Sequence, residues 1–252
     1  MLLLAENIPP GGPDSTALSA RIGALNDRFR HHSAHDVLTH ALRGMERIAL
    51  VSSFGAESVV LLHMAAVIDR ATPVLFIDTE MLFTETLVYQ NELAERLGLT
   101  NLRILHAADI ARQDPDGTLH RTNPDACCAL RKTAPLDAAL AKFDGWITGR
   151  KRYQSAGRAA LEFFEPEDGT GRIKINPLAH WATEDLRDYI DENRLPRHPL
   201  VARGYASIGC APCTSPVAAG EDPRAGRWRG REKDECGIHF IDGRATRKGQ
   251  TA

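Results

Sequence analysis

Apolar residues recur along this chain with two alternating periods. Leu18, Ile22 and Leu25 stand at helical spacing near the start. Ile48-Ala49-Leu50-Val51-Ser52-Ser53 is a continuous apolar run ending in two serines, the pattern of a strand buried on both faces. Phe54-Gly55-Ala56-Glu57-Ser58 follows, then a second apolar run, Val59 to Ile68, of helical length. Pro73 to Ile77 predicts the next strand, closing on Asp78-Thr79-Glu80. A helix is expected over 83–97, with Leu87, Gln90, Leu93, Ala94 and Leu97 on one face and Gly98 as its C-cap. Leu102–Leu105 and Gly145–Gly149 are two further strands. Leu161–Phe164 and Arg172–Ile175 pair around a Gly169–Gly171 turn. Thr183 is expected to N-cap a helix bearing Leu186, Tyr189 and Ile190, with Glu184 and Asp185 favouring its positive end. Strands separated by helices of this length predict an α/β fold, doubly wound about a mostly parallel sheet.

The ends break the pattern. Pro9, Pro10, Gly11, Gly12 and Pro13 make residues 1–16 a disordered arm by composition. Residues 17–213 form one domain, its regular pattern stopping at Pro196. Residues 214–252, with Pro216, Pro223, Arg224, Gly226, Arg227, Trp228, Arg229 and Arg231, read as a mobile C-terminal tail.

With 252 residues, 43% of them apolar, the chain can bury a full core. A net charge of −2 implies no bulk attraction to nucleic acid. Leu2-Leu3-Leu4 is too short for the core of a signal peptide, and no stretch approaches the roughly 20 apolar residues of a membrane span. A soluble, cytoplasmic protein is expected, without nucleic-acid or membrane partners and compatible with a homo-oligomer. His31, His32, His35 and His40 cluster in sequence. No further ligand motif lies nearby, so they read as surface or packing residues.

The candidate chemistry is concentrated in five cysteines. They fall as Cys127-Cys128, Cys210-Ala211-Pro212-Cys213 and a lone Cys236 within Glu235-Cys236-Gly237-Ile238-His239. A lone cysteine is most often a core residue. Four in this arrangement suggest thiolates gathered on an iron–sulfur cluster, which takes four such ligands. Zinc is the rival, although its sites normally use two separated C-x-x-C knuckles. An odd count leaves one thiol over in any disulfide scheme. The adjacent pair is expected to open a helix over 128–142, with Arg131 and Lys132 a turn beyond. A cation there offsets the charge of ligated thiolates.

Two stretches suggest anion binding. The strand, small-residue turn and helix around 48–68 resemble a phosphate cradle, in which backbone N–H groups and Ser52, Ser53 and Ser58 serve as donors. Turn chemistry alone explains many such sequences. The Asp78-Thr79 turn stands at a strand's carboxyl end, where open α/β sheets bind ligands. Gly149-Arg150-Lys151-Arg152 places three cations at another such end, as an anion clamp or as a solvated charge run.

Over residues 45–241 the chain resembles the assimilatory sulfonucleotide reductases, and within them the bacterial adenylyl-sulfate (APS) reductases. The carrying residues are Ser52 to Ser58, Ile77-Asp78-Thr79, Cys127-Cys128 with Arg131-Lys132, Gly149-Arg150-Lys151, Ser207 to Cys213, and Glu235 to His239. The resemblance implies an adenine nucleotide α-hydrolase-like, PP-loop-type fold. It implies one [4Fe–4S] cluster per chain on Cys127, Cys128, Cys210 and Cys213, with Lys132 beside it, tuning charge near the sulfate rather than shuttling electrons. The first turn departs from the S-G-G-x-D-S loop of ATP-cleaving relatives, with Phe54 in place of glycine and Glu57 in place of aspartate. That suits a nucleotide bound without cleavage of its α–β bond.

The activity implied is reduction of adenosine 5'-phosphosulfate to sulfite and AMP in sulfate assimilation. Cys236 would attack sulfur to give an S-sulfocysteine, and thioredoxin or glutaredoxin would release sulfite. With four cysteines committed, no second thiol remains in the chain to resolve that adduct. Asp234 and Glu235 oppose a Cys236 thiolate, while Lys233 and His239 favour it. Lys132, Arg224 and Arg227 are expected to offset the charge of sulfate and thiolate. Substrate contacts are expected at Ser52, Ser53, Phe54, Gly55, Ser58, Asp78, Thr79, Lys132, Gly149, Arg150, Arg224 and Arg227, with His239 as tail support. The alternatives are a phosphoadenylyl-sulfate (PAPS) reductase, a PP-loop tRNA-thiolation enzyme with a cluster, and a non-catalytic nucleotide-binding module with structural zinc.

Overall fold

The computed structural model describes residues 13–231, with side chains from residue 16. Two helices, α1 (Pro13–Phe29) and α2 (Ala34–Gly44), precede the first strand. The chain then alternates: β1 (Ile48–Val51), α3 (Ser58–Ile68), β2 (Val74–Asp78), α4 (Thr84–Leu97), β3 (Leu102–His106). Short helices α5 (Ile110–Gln113), α6 (Leu119–Thr122) and α7 (Pro124–Cys128) lead through a π-helical turn, Ala129–Thr133, into α8 (Ala134–Leu140). Then come β4 (Gly145–Ile147), β5 (Phe164–Pro166), β6 (Ile173–Ile175) and α9 (Thr183–Glu192).

The six strands lie in the order β3-β2-β1-β4-β6-β5, parallel except for β5, which runs antiparallel to β6. The chain leaves β1 towards β3 on one side and returns at β4 on the other. The order therefore reverses between β1 and β4, where open α/β sheets place their ligand crevice. Helices cover both faces. Leu38, Leu50, Leu62, Phe76, Leu93, Ile147 and Ile175 fill one core layer, and Ala49, Leu75, Leu136, Leu140 and Trp146 the other. Burial from both sides is why the central strands read as unbroken apolar runs.

Local sequence explains most boundaries. Ser33 caps α2 by accepting from the Asp36 N–H at 3.2 Å, while Asp36 accepts from the Ser33 N–H at 3.1 Å. Gly98 takes the left-handed conformation, φ 64°, that ends α4. The outer edge of β5 is covered by a side chain from α1. Asn26 Nδ2 donates to the Phe164 carbonyl and Asn26 Oδ1 accepts its N–H, both at 2.9 Å, in place of a seventh strand. His40 packs against Phe29, with ring centres 4.9 Å apart, in keeping with a packing role.

Four boundaries differ from expectation. Helix α1 begins at Pro13, inside the expected arm; proline suits a first helical turn because its missing N–H has no partner there. The cysteine pair closes α7 instead of opening a helix, since Asn123 caps it by accepting the Ala126 N–H at 3.1 Å. Thr183 is the first residue of α9 and not its cap; Asp185 reaches back to the Ala182 N–H at 2.7 Å. Residues 214–231, expected as mobile tail, are built into the body by backbone bonds from Ser215 to Gly226 and from Trp228 to Cys213. No helix among the described residues is long and apolar enough to cross a membrane.

His198, 1% exposed, ties the loop after α9 to α4. Its Nδ1 accepts the Leu200 N–H at 3.2 Å, so the proton sits on Nε2 and is donated to Thr86 Oγ1 at 3.1 Å. A second proton on Nδ1 would face the Leu200 N–H. Burial accordingly lowers the pKa to about 4 from its ordinary 6.5, against the opposing pull of Glu85. The unfolded chain then binds more protons than the folded one below pH 6.5, so this stability is lost as pH falls. Between pH 7.5 and pH 5 we expect a loss on the order of 2 kcal/mol from this group. Urea titrations of the wild type and of His198→Asn, which keeps an acceptor for Leu200, check it: the variant should be flatter across that range. An unchanged slope would contradict the assignment.

Candidate functional site

At the reversal point the carboxyl ends of β1, β2 and β4 open into a cleft of about 280 Å³. Ser52, Ser53, Gly55, Glu57 and Ser58 line it after β1, Thr79 after β2, and Thr148, Gly149 and Arg150 after β4. Two later segments complete the wall: Ser207 to Cys210, and Asp222 to Arg224 with Arg227 and Trp228.

The turn after β1 is held by its own hydroxyls. The Phe54 N–H donates to Ser52 Oγ at 3.2 Å and the Gly55 N–H to Ser58 Oγ at 2.9 Å. Phe54 has a φ of +48°, unusual for a side chain of its size. That conformation turns its ring into the core, fully buried and edge-on to Phe76 at 5.2 Å. Phe54 was expected to contact substrate; it does not line the cleft. Asp78 is absent from the wall as well, because its carboxylate accepts the Glu80 N–H at 2.8 Å and shapes the turn after β2.

The three cations after β4 are each matched to a carboxylate. Arg150 pairs with Glu165, Lys151 with Glu57 at 2.5 Å, and Arg152 with Glu162 at 3.0 Å. Arg150 also donates to Asn176 Oδ1 at 3.0 Å. Lys151 is 3% exposed. Burial lowers its pKa and Glu57 opposes that shift. Tyr153 donates to the other Glu57 oxygen at 2.9 Å. The triplet thus belongs largely to the framework. Lys132, Arg158, Arg224 and Arg227 bring further positive charge to the same cleft.

Cys127, Cys128, Cys210 and Cys213 gather around one small cavity, together with Met81, His120, Arg131 and Lys132. All four are free thiols, the first three buried. Burial pushes the Cys127 and Cys213 thiols up, and the neighbouring Cys210 adds to both shifts. Among the described residues no three His, Cys, Asp or Glu side chains are set to hold a single metal ion. Thr79 Oγ1 lies 3.2 Å from Cys210 Sγ. Arg131, 4% exposed, donates to the Thr79 carbonyl and to Asp114, both at 2.9 Å. Arg131 is thereby a framework cation, whereas its neighbour Lys132 lines both cavity and cleft.

Ten of the expected substrate residues therefore share one cleft: Ser52, Ser53, Gly55, Ser58, Thr79, Lys132, Gly149, Arg150, Arg224 and Arg227. Cys236 and His239 lie outside the described residues. Glu57, Tyr153, Arg158 and Trp228 line the cleft without having been chosen from sequence, and Lys151, read there as part of an anion clamp or a solvated charge run, lines it as well. Glu57 and Arg158 stand in or beside the stretches already singled out. Lys151 and Tyr153 acquire their place through Glu57, nearly a hundred residues away.

The fold and the site define a doubly wound nucleotide-type α/β protein whose cationic cleft adjoins a four-cysteine cavity. Residues 47–216 match the phosphoadenosine phosphosulfate reductase domain. An adenosine 5'-phosphosulfate reductase of Mesorhizobium japonicum is 49% identical over 91% of this chain and 91% of its own. The crystal structure of the phosphoadenylyl-sulfate (PAPS) reductase from Candida auris, a phosphate complex, superposes with a TM-score of 0.69 at 27% identity, covering 86% of this chain and 99% of that one. Yeast FAD synthetase shares the fold alone, with a TM-score of 0.52 at 16% identity over 83% of this chain and 70% of that one. The chain belongs to the phosphoadenosine phosphosulfate reductase family, oxidoreductases acting on sulfur.

Removing one partner of a buried ion pair strands the other. Glu57→Ala should destabilise the protein by about 2 kcal/mol, a figure reduced for the part-exposed carboxylate. Lys151→Met should cost less, since its buried stem is replaced by apolar atoms of similar length. Chemical denaturation of the two variants distinguishes this from a surface pair, for which both changes would fall within about 0.5 kcal/mol of wild type.

Proposed function

We propose that this protein reduces adenosine 5'-phosphosulfate to sulfite and AMP, with Cys236 as nucleophile and a dithiol protein such as thioredoxin or glutaredoxin as reductant. The observation that carries this reading is that Lys132 and Cys210 line both the cleft and the cysteine cavity. A nucleotide in the cleft would thus present its anionic end beside the cysteines. Family membership and the named relatives support the substrate class.

The Cys236 thiolate attacks the sulfate sulfur, forming an S–S bond as the bond from sulfur to the bridging oxygen breaks. AMP leaves with the electron pair, and Cys236 becomes an S-sulfocysteine. One thiolate of the dithiol protein then attacks the Cys236 sulfur and expels sulfite, giving a mixed disulfide. Its second thiol resolves that disulfide, restoring Cys236 and leaving the partner oxidised by two electrons, the number by which sulfate sulfur is reduced. In the cleft, Lys132, Arg224 and Arg227 would hold the phosphosulfate and offset the charge that gathers as the thiolate approaches. Ser52, Ser53 and Ser58 would donate to the nucleotide's phosphate and ribose oxygens.

The donor set fits a [4Fe–4S] cluster. Four free cysteines surround one cavity, cations stand at its wall, and a hydroxyl lies within hydrogen-bonding distance of one sulfur. Cys127, Cys128, Cys210 and Cys213 would ligate it. When bound, the cluster would contribute charge close to the sulfate end of the substrate.

Anaerobically purified protein incubated with adenosine 5'-phosphosulfate and no reductant should gain the mass of one SO₃ on the peptide containing Cys236. Thioredoxin should then release it as sulfite, and Cys236→Ser should show neither event. An adduct formed only with PAPS would move the protein to that substrate. Iron and sulfide should be present in equal amounts, four of each per chain, and should fall sharply in Cys127→Ser and Cys213→Ser. Stoichiometric zinc instead would overturn the cluster.

A further inference from the structure

Arg227 is held more closely than its neighbours on the cleft wall. Its guanidinium occupies the space where a side chain at residue 209 would begin. A Cβ at residue 209 would stand 2.6 Å from Arg227 Cζ and 3.1 Å from Nη1, so a larger residue there would push the guanidinium aside. An aromatic ring holds the guanidinium as well: Cζ sits 4.6 Å from the ring centre of Trp228. Trp228 is 4% exposed and has a left-handed backbone, φ +48°. Its N–H is fixed to the Cys213 carbonyl at 3.0 Å. The edge of the guanidinium donates from Nη1 to Ser207 Oγ at 3.4 Å. The Arg227 backbone is fixed too, bridging to Thr214 and donating to the Arg224 carbonyl at 2.8 Å.

We infer that Gly209 and Trp228 are positioning residues that set the Arg227 guanidinium at the cysteine end of the cleft. The inference rests on the substrate reading above and deepens it. Gly209 immediately precedes Cys210, which lines both cleft and cavity. A guanidinium beside that glycine faces the end of the ligand nearest the cysteines, the sulfate end and not the adenosine end. With the Trp228 ring on one side the guanidinium keeps a fixed plane, the geometry in which its N–H fork meets an anion edge-on. Neither Gly209 nor Trp228 need touch substrate for this role. Each acts through the placement of Arg227.

The test measures binding without turnover, in full-length Cys236→Ser protein with its metal content verified. Calorimetry compares adenosine 5'-phosphosulfate with AMP, which lacks the sulfate. Gly209→Ala should weaken the phosphosulfate about tenfold or more, the order expected for loss of one charge-assisted hydrogen bond. AMP binding should change little. Trp228→Leu should behave similarly and Trp228→Phe should restore most of the affinity, which keeps the test open if the alanine variant folds poorly. Because Gly209 acts through Arg227, adding Gly209→Ala to Arg227→Lys should cost little beyond Arg227→Lys alone. Equal losses for both ligands, wild-type affinity in Gly209→Ala, or full additivity with Arg227→Lys would overturn the inference while leaving the substrate in place. Failure of the parent protein to bind the phosphosulfate would overturn the substrate reading, and the inference with it.

Discussion

Arg131 joins three distant parts of this chain at one point. From the π-helical turn it reaches the carbonyl of Thr79 at the end of β2 and the buried carboxylate of Asp114 in the segment after β3. Thr79 in turn contacts Cys210 Sγ, and the Ala211 N–H donates to the Met81 carbonyl at 2.8 Å. The side chains of Arg131 and Asp114 are 5% and 1% exposed. The Asp114 carboxyl is held below its usual range, first by the Leu119 N–H and then by Arg131. Buried charge of this kind has to be paired, and the Arg131–Asp114 ion pair meets that need, although Arg131 Nε finds no hydrogen-bond partner among the described residues. That requirement fixes β2, the cysteine turn and the segment 114–119 relative to one another. Both the cleft and the cysteine cavity depend on that register.

Cations line the cleft from several parts of the chain. After β4, Arg150, Lys151 and Arg152 meet Glu165, Glu57 and Glu162, which ties these three cations into the framework, while Arg158 lines the cleft beside them. Lys132, Arg224 and Arg227 lie on walls contributed by the π-helical turn and by residues 222–228. Neutralising the first set also limits the self-repulsion that a cleft lined only with cations would bear.

The sheet and its helices were legible because their periods are strong and their turns short. β1, β2, α3 and α4 fall within a residue or two of where hydrophobic spacing puts them. The cysteine set was legible from spacing and type alone. Features that depended on distant partners were not. Phe54 looked like a loop residue beside a ligand, but Phe76 draws it into the core and its left-handed backbone permits that. The Arg150–Arg152 run looked like a clamp because its carboxylates are spread between residues 57 and 165. Residues 214–231 looked unstructured by their Pro, Gly and charge content. One buried tryptophan and a few backbone bonds suffice to fix them, and composition does not register either.

The π-helical turn, Ala129–Thr133, accounts for the division of labour between Arg131 and Lys132. A wider turn inserted between α7 and α8 shifts the register of the side chains that follow the cysteines, and such turns are frequent at functional sites. The two adjacent cations consequently meet different surroundings. Arg131 is buried among backbone and carboxylate acceptors and supplies rigidity. Lys132 lines the boundary between cysteine cavity and cleft, where a charge can act on whatever occupies either. A regular helix through 124–140 would carry the residues of α8 round by a different angle relative to Cys127 and Cys128. Leu136 and Leu140, which seal the second core layer, would then no longer face the sheet while the cysteines face the cavity. The irregular turn lets one stretch of helix serve the core at one end and the site at the other.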